Sequence, residues 1–236
     1  MAIYDINGNV LSSGSTSDVS GGTWLALGDS IAQYMSDGGY CAIVEEKLGL
    51  AKRHSYATAG AMWECTDTSV DLETTTVKGN VFGQYNSMKN DVINGIYKPT
   101  IITIALGTNG ASQGEFWADE STKTINKNTT TMAGAMHTIL QKLLSDFSVA
   151  DVRIGGIIPP QAEGRNSELK ENWKVRNDLI RRIYEFYSIP YLDLAKEGYI
   201  LDKSIVDNGT LGDWLHPSAV GNKTYARRLC GWLPTL

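Results

Sequence analysis

Four short segments of this chain carry residue types that together supply a nucleophile, a base and fixed hydrogen-bond donors. They are Gly28-Asp29-Ser30, Ala59-Gly60, Gly107-Thr108-Asn109 and Asp213-Trp214-Leu215-His216-Pro217. A serine hydroxyl becomes a useful nucleophile only beside a base that takes its proton, and the chain offers three histidines, His54, His137 and His216. His54 follows Arg53 at the start of a predicted strand and His137 falls in mid-helix, so both read as structural. His216 is the remaining base. Asp213, three residues earlier, is close enough to accept a bond from the imidazole and fix the tautomer that leaves the other nitrogen basic. The oxyanion of an acyl-transfer transition state needs fixed donors. The N–H of Ser30, the N–H of Gly60, which has no Cβ to obstruct approach, and the side-chain amide of Asn109 can provide them. Each residue also has a plainer role. Ser30 suits a helix N-cap, Asp213 and Asn109 suit loop turns, Gly60 suits a chain reversal, and His216-Pro217 suits the first turn of a last helix.

What favours the chemical reading is where these segments fall among the elements. From Thr23 onward short apolar runs alternate with helical periodicity, the pattern of parallel strands joined by crossover helices. Strands are expected over 23–27, 53–58, 100–106, 152–158 and 190–194, each rich in apolar or β-branched residues. Leu169, Trp173, Arg176, Ile180, Ile183 and Tyr187 recur at three- and four-residue spacing and define one helix face, Arg176 lending its stem. Met132, Met136, Ile139, Leu140, Leu143 and Phe147 define another, and both stripes read as core packing rather than a cofactor box. In an open parallel sheet ligands bind beyond the carboxyl ends of the strands. The first three segments follow the first three strands and the fourth lies beyond the fifth, so all would meet on one rim.

Composition bounds the function classes. The chain has 236 residues, 42% of them hydrophobic and 20% charged, enough for one well-buried domain. Lys and Arg number 21 against 26 Asp and Glu, a net charge of −5 with a pI near 5.2, so no basic surface is available for a nucleic-acid partner. No apolar run approaches the ~18–20 residues that span a bilayer, which excludes an integral membrane protein. Cys41, Cys65 and Cys230 are odd in number and widely spaced, without a close pair to begin a zinc site, and read as free thiols. Residues 1–22 lack the basic start and apolar centre of a secretion signal. Asn7-Gly8 suits a hairpin turn and the stretch 12–22 is Ser/Gly-rich, so an N-terminal hairpin and linker (1–22) are expected ahead of the main domain (23–236).

Long loops are expected at the rim over 61–79, 110–127, 159–166 and 196–212. They are rich in Thr, Asn, Asp and Gly, with Met62, Trp63, Phe116, Trp117 and Trp214 interspersed. Trp63, Trp117 and Trp214 are the candidates for stacking on sugar faces. With a mean hydropathy of −0.20, this composition suits a hydroxylated substrate better than a long acyl chain.

Ser30, Gly60, Asn109 and His216, in Leu27-Gly28-Asp29-Ser30-Ile31, Ala59-Gly60, Gly107-Thr108-Asn109 and Asp213-Trp214-Leu215-His216-Pro217, resemble the four hallmark residues of the SGNH/GDSL hydrolase superfamily over roughly residues 23–232. Two positions depart from its pattern. Ile31 stands where the name-giving motif has Leu, and Gly110 stands where an Asp often follows the third-block Asn and helps hold its loop. The resemblance implies an α/β fold of the flavodoxin-like three-layer α/β/α kind, built here on a five-stranded parallel sheet. It also implies a Ser30-His216-Asp213 esterase without metal or organic cofactor. The polar, aromatic loops point to short-chain esters, foremost O-acetyl groups on carbohydrate. A thioesterase, arylesterase or lysophospholipase uses the same scaffold, and a carbohydrate-binding or attachment module with a vestigial triad stays open. The hairpin and linker resemble N-terminal segments of bacteriophage tail-associated and bacterial surface proteins, which implies tethering to a larger assembly through residues 1–22. A nucleotide-binding protein is disfavoured because Gly28-Asp29-Ser30 lacks a glycine-rich phosphate loop.

Overall fold

The computed structural model describes residues 2–4, 10–13, 18–33, 39–110, 112–159, 167–194 and 216–236. At the N-terminus β1 (Ala2–Tyr4) pairs antiparallel with β2 (Val10–Ser13), Ala2 opposite Ser13 and Tyr4 opposite Val10. This is the hairpin expected around Asn7-Gly8, although residues 5–9 themselves lie outside the described residues. The later part of the Ser/Gly-rich stretch is not a free linker. Val19 is buried in the core, Gly21 N–H donates to Gly49 O at 2.8 Å, and Ala51 N–H donates to Gly22 O at 3.0 Å.

The body is one parallel sheet of β3 (Thr23–Gly28), β4 (Lys52–Ser55), β5 (Ile101–Ala105), β8 (Arg153–Ile158) and β9 (Tyr191–Asp193), in the spatial order β4-β3-β5-β8-β9. All five strands fall on the expected segments. Residues 53–58 are classed as strand only to Ser55, yet Tyr56 and Thr58 still donate to Ala26 O at 2.8 Å and Gly28 O at 3.1 Å. The chain therefore stays extended beside β3 up to the Ala59-Gly60 turn.

Side chains alternate across the sheet, as a two-residue period requires. Leu25 and Leu27 face one layer while Trp24 and Ala26 face the other. The first layer is α3 (Val81–Ile93), α4 (Met132–Asp146) and α5 (Ser167–Phe186), whose Phe82, Tyr85, Met136, Leu140, Ile180 and Ile183 are buried on it. The second is α2 (Tyr40–Leu48) and the last helix, α6 (Ala219–Trp232), with Tyr40, Val44, Tyr225 and Leu229. Helices on both faces make the three-layer α/β/α sandwich expected from the sequence. In β8 two adjacent glycines let both layers approach: a Cβ on Gly155 would meet Trp232 and one on Gly156 would meet the Tyr184 ring.

The 110–127 region carries an element that the sequence pattern does not announce. It contains an antiparallel pair, β6 (Trp117–Asp119) with β7 (Thr124–Ile125). The turn is closed by Asp119, which accepts from the N–H and hydroxyl of Ser121 at 2.9 and 2.7 Å. Among the described residues the cysteines are free, Cys41 and Cys65 being buried, and no helix is long and apolar enough to cross a membrane.

Candidate active site

At the carboxyl end of β3 the chain turns directly into a short helix, α1 (Ser30–Gln33). Only glycine permits so close a return at position 28, where a Cβ would lie 2.6 Å from Ala32 Cβ and 3.0 Å from Ala105 O. Gln84 of α3 locks the turn from below: its Oε1 accepts from Gly28 N–H at 2.8 Å, and its Nε2 donates to Gly28 O at 2.8 Å and Lys78 O at 3.0 Å. Asp29, not Ser30, is the N-cap. Its Oδ1 accepts from Ile31 N–H at 2.9 Å and its carbonyl from the N–H groups of Ala32 and Gln33. Ser30 is thereby released from capping, and its nearly buried hydroxyl lies 2.8 Å from Nε2 of His216.

His216 is held by the segment that opens α6. Pro217 sits two residues before the first helical residue rather than inside the first turn, and the cap is Ser218, whose Oγ accepts from Gly221 N–H at 3.1 Å. Asn222 then fixes the approach, donating to Pro217 O at 3.3 Å while accepting from Tyr40 N–H at 3.2 Å. Asp213 and Trp214 lie outside the described residues.

The other two segments reach the same rim. Gly60 is exposed, at φ +75°, in a turn closed by Ala61 N–H to Thr58 O at 3.0 Å. The side chain of Gln33 on α1 accepts from Ala59 N–H and ties this turn to the serine helix. Asn109 donates from Nδ2 to Ala61 O at 3.2 Å. An amide nitrogen carries two hydrogens, so this bond fixes the side chain and leaves a second donor. The residues flanking Gly60 thus tie its turn by hydrogen bonds to the serine helix on one side and to Asn109 on the other.

Burial pushes the Asp29 carboxyl up to about 6, against the Ile31 N–H, Thr108 and the charge of His216. The other histidines stand apart. His54 stacks on Tyr97 and has its Nδ1 2.9 Å from the Tyr97 hydroxyl. His137 is fully buried on α4 with Nδ1 3.0 Å from the Tyr187 hydroxyl.

Two of the three stacking candidates are corrected. Trp63 has no exposed surface and packs edge-on to Tyr184 in the core, so it anchors its loop and offers no face to a sugar. Trp117 packs against Phe116 and Phe186. Phe186 ends α5 ten residues beyond Arg176, whose guanidinium touches the Gly107–Gly110 carbonyls. At 1.5 Å per residue that is roughly 15 Å along the helix from the rim, so Trp117 covers the α4–α5 face instead. Arg176 and the buried Glu64 are the residues that sequence reasoning missed. The one available signal was the bare Gly110, which leaves the Asn109 loop in need of support from elsewhere.

A model of the GDSL-like lipase/acylhydrolase family matches residues 26–224 of the chain. No curated protein sequence matches it. Among solved structures, a protein of Lactobacillus plantarum superposes with a TM-score of 0.66 at 18% identity, over 92% of this chain and 98% of that one. An acetyl xylan esterase, AlAXEase, gives 0.58 at 17% identity over 89% and 98%. An acetylxylan esterase of Geobacillus stearothermophilus gives 0.56 at 17% over 89% and 93%. At these identities the structural likeness speaks for the fold. The family model spans all four rim segments, and on that ground the chain belongs to the GDSL-like lipase/acylhydrolase family of ester hydrolases.

Proposed function

We propose that this ester hydrolase removes short acyl groups, foremost O-acetyl groups, from carbohydrate through an acyl-enzyme on Ser30. One observation carries the choice of residues: two side chains 186 positions apart in sequence meet as a 2.8 Å contact between Ser30 Oγ and His216 Nε2, the distance a serine–base pair requires. His216 takes the hydroxyl proton as Oγ attacks the ester carbonyl carbon. The N–H groups of Ser30 and Gly60 and the second amide hydrogen of Asn109 receive the oxyanion. Collapse expels the alcohol, which takes the proton from His216, and water then cleaves the acyl-enzyme with His216 again as base. Asp213, three residues before the base, holds the imidazole tautomer.

The carbohydrate reading is supported by two related folds that are named acetylxylan esterases. It is supported further by the loop that leaves Gly60, whose exposed residues include Thr66, Asp67, Thr68, Ser69, Asp71 and Thr74. Hydroxyl and carboxyl groups at that density suit a hydrated sugar better than an acyl chain. The test is hydrolysis of the 4-nitrophenyl acetate, butyrate and octanoate esters beside Ser30→Ala, followed by acetylated xylooligosaccharides. Serine-dependent turnover that fades with chain length and improves with saccharide context is expected. Turnover that rises with acyl length and falls with added sugar overturns the substrate class, and turnover equal in Ser30→Ala overturns the nucleophile.

A further inference from the structure

Four consecutive carbonyls of the Asn109 loop converge on one guanidinium. Arg176 donates from Nη1 to Gly107 O at 2.9 Å, to Thr108 O at 3.2 Å and, at a long 3.4 Å, to Asn109 O, and from Nη2 to Gly110 O at 2.5 Å. Successive carbonyls of an extended chain point to opposite sides, so this convergence beyond the end of β5 needs that alternation broken, and Gly107 and Gly110 sit at φ +127° and +102°. The loop shape therefore needs an external template, and the rigid fork of an arginine, with five donors in one plane, is suited to be one.

A second buried group completes the support. Glu64 is 2% exposed, and its carboxylate fills the space that a side chain on Gly110 would take. A Cβ there would overlap Oε1 and lie 2.8 Å from Oε2 and 2.9 Å from the carboxyl carbon. Burial works against the Arg176 charge and the charge of Glu64 sustains it. The short segment from Ala61 to Glu64 thus braces the loop at two adjacent residues, Ala61 O accepting from Asn109 and Glu64 standing against Gly110.

We infer that Glu64 and Arg176 are positioning residues that hold the 107–110 loop in the shape that makes Asn109 an oxyanion donor, with Gly110 left bare to admit the Glu64 carboxylate. The inference rests on the esterase reading, with Asn109 as donor. A lysine at 176 keeps the charge and loses the fork, while a glutamine at 64 keeps the shape and loses the charge. Since removing one oxyanion donor outright costs roughly 100- to 1,000-fold in kcat, misplacing it should cost less, about 10-fold, with KM changed by less than about 2-fold.

The experiment measures kcat and KM of the full chain on 4-nitrophenyl acetate for Glu64→Gln, Arg176→Lys and Asn109→Ala, and for each of the first two combined with Asn109→Ala. Amide hydrogen exchange of the 106–112 segment is measured on the same proteins. The clamp predicts a loss in kcat alone, little further loss in the Asn109→Ala background, and faster exchange confined to that segment. Parent kcat in both single variants, or losses that multiply with that of Asn109→Ala, overturns it. The exchange measurement does not depend on turnover, so unchanged exchange overturns the clamp even in a protein that hydrolyses nothing. A parent no more active than Ser30→Ala sinks the esterase reading separately.

Discussion

In the proposed mechanism, removing either Ser30 or His216 would abolish proton transfer at the 2.8 Å contact, and group removals of this kind cost at least about 1,000-fold in kcat. Ser30→Ala and His216→Ala are both expected to fall that far, with the double variant no worse than either single. His54→Ala and His137→Ala should keep kcat within about 3-fold, as positions outside the reacting geometry do. The Nδ1 of each is engaged by a tyrosine, Tyr97 or Tyr187, away from the rim. Steady-state kinetics on an activated acetate ester checks all four, and a loss at His54 equal to that at His216 reassigns the base. Ser30, Gly60, Asn109 and His216 were legible in the sequence because each stands directly after a strand or before a helix, where local pattern fixes position. Trp63 and Glu64 were not. They are neighbours in one polar loop, and nothing local distinguishes an aromatic ring that anchors a loop from one that faces a substrate. Nor does anything local reveal a carboxylate that will be buried against Gly110. Both outcomes are decided by contacts with α5 and with the 107–110 loop, far away along the chain.

The elements around the site depend on close approaches that glycine makes available. In β8 a Cβ on Gly156 would overlap the Tyr184 ring of α5, with Cε1 at 2.7 Å, and α5 is the helix that carries Arg176. Overpacking of this sort costs about 1–3 kcal/mol, so Gly156→Ala should lower the urea midpoint accordingly. In a Tyr184→Ala background the same substitution should cost little, giving a coupling of about 1 kcal/mol or more between contacting residues. Equal costs in both backgrounds would show that something other than Tyr184 limits the space. The strands were readable because a buried parallel strand is a short β-branched run, and the Gly-Gly pair inside one signals a near backbone neighbour. Which helix approaches is a tertiary fact. The β6–β7 hairpin escaped because strands of three and two residues have no period to detect, and its turn is set by the carboxylate of Asp119 accepting from Ser121. The segment 18–22 reads as linker because its Ser/Gly composition outweighs the single apolar residue, Val19, that docks it.

Over the whole molecule, two buried groups give stability a pH dependence that each conceals in the other. Burial pushes Asp29 up from 3.8 to about 6 and His137 down from 6.5 to about 4. Between about pH 4 and 6 folded Asp29 holds a proton that the unfolded chain has released, so its stabilising contribution is present at the acid end and is lost as pH rises through 6. Over nearly the same window the unfolded chain binds a proton that buried His137 refuses, so that contribution grows with pH. A fully developed difference of one proton is worth about 1.4 kcal/mol per pH unit, and the two slopes have opposite sign. The exposed carboxylates held low by hydrogen bonds, Asp67, Asp71 and Asp119, act below this window. His54 is common to every variant compared. The slope of the parent's stability from about pH 4.5 to 6 in urea unfolding should therefore lie between those of the two variants, since the contribution of His54, which also grows with pH, is shared by all three. Asp29→Asn keeps an acceptor for Ile31 N–H and removes one titration, so its stability should rise with pH by about 1 kcal/mol per unit. His137→Phe keeps a ring in the aromatic set of α4 and α5 and removes the other, so its stability should fall over the same range. Parallel pH curves for all three proteins would mean that neither group titrates differently in the folded chain. The carboxylate beside Ser30 would then be as well solvated as an exposed one, which its burial under α1 argues against.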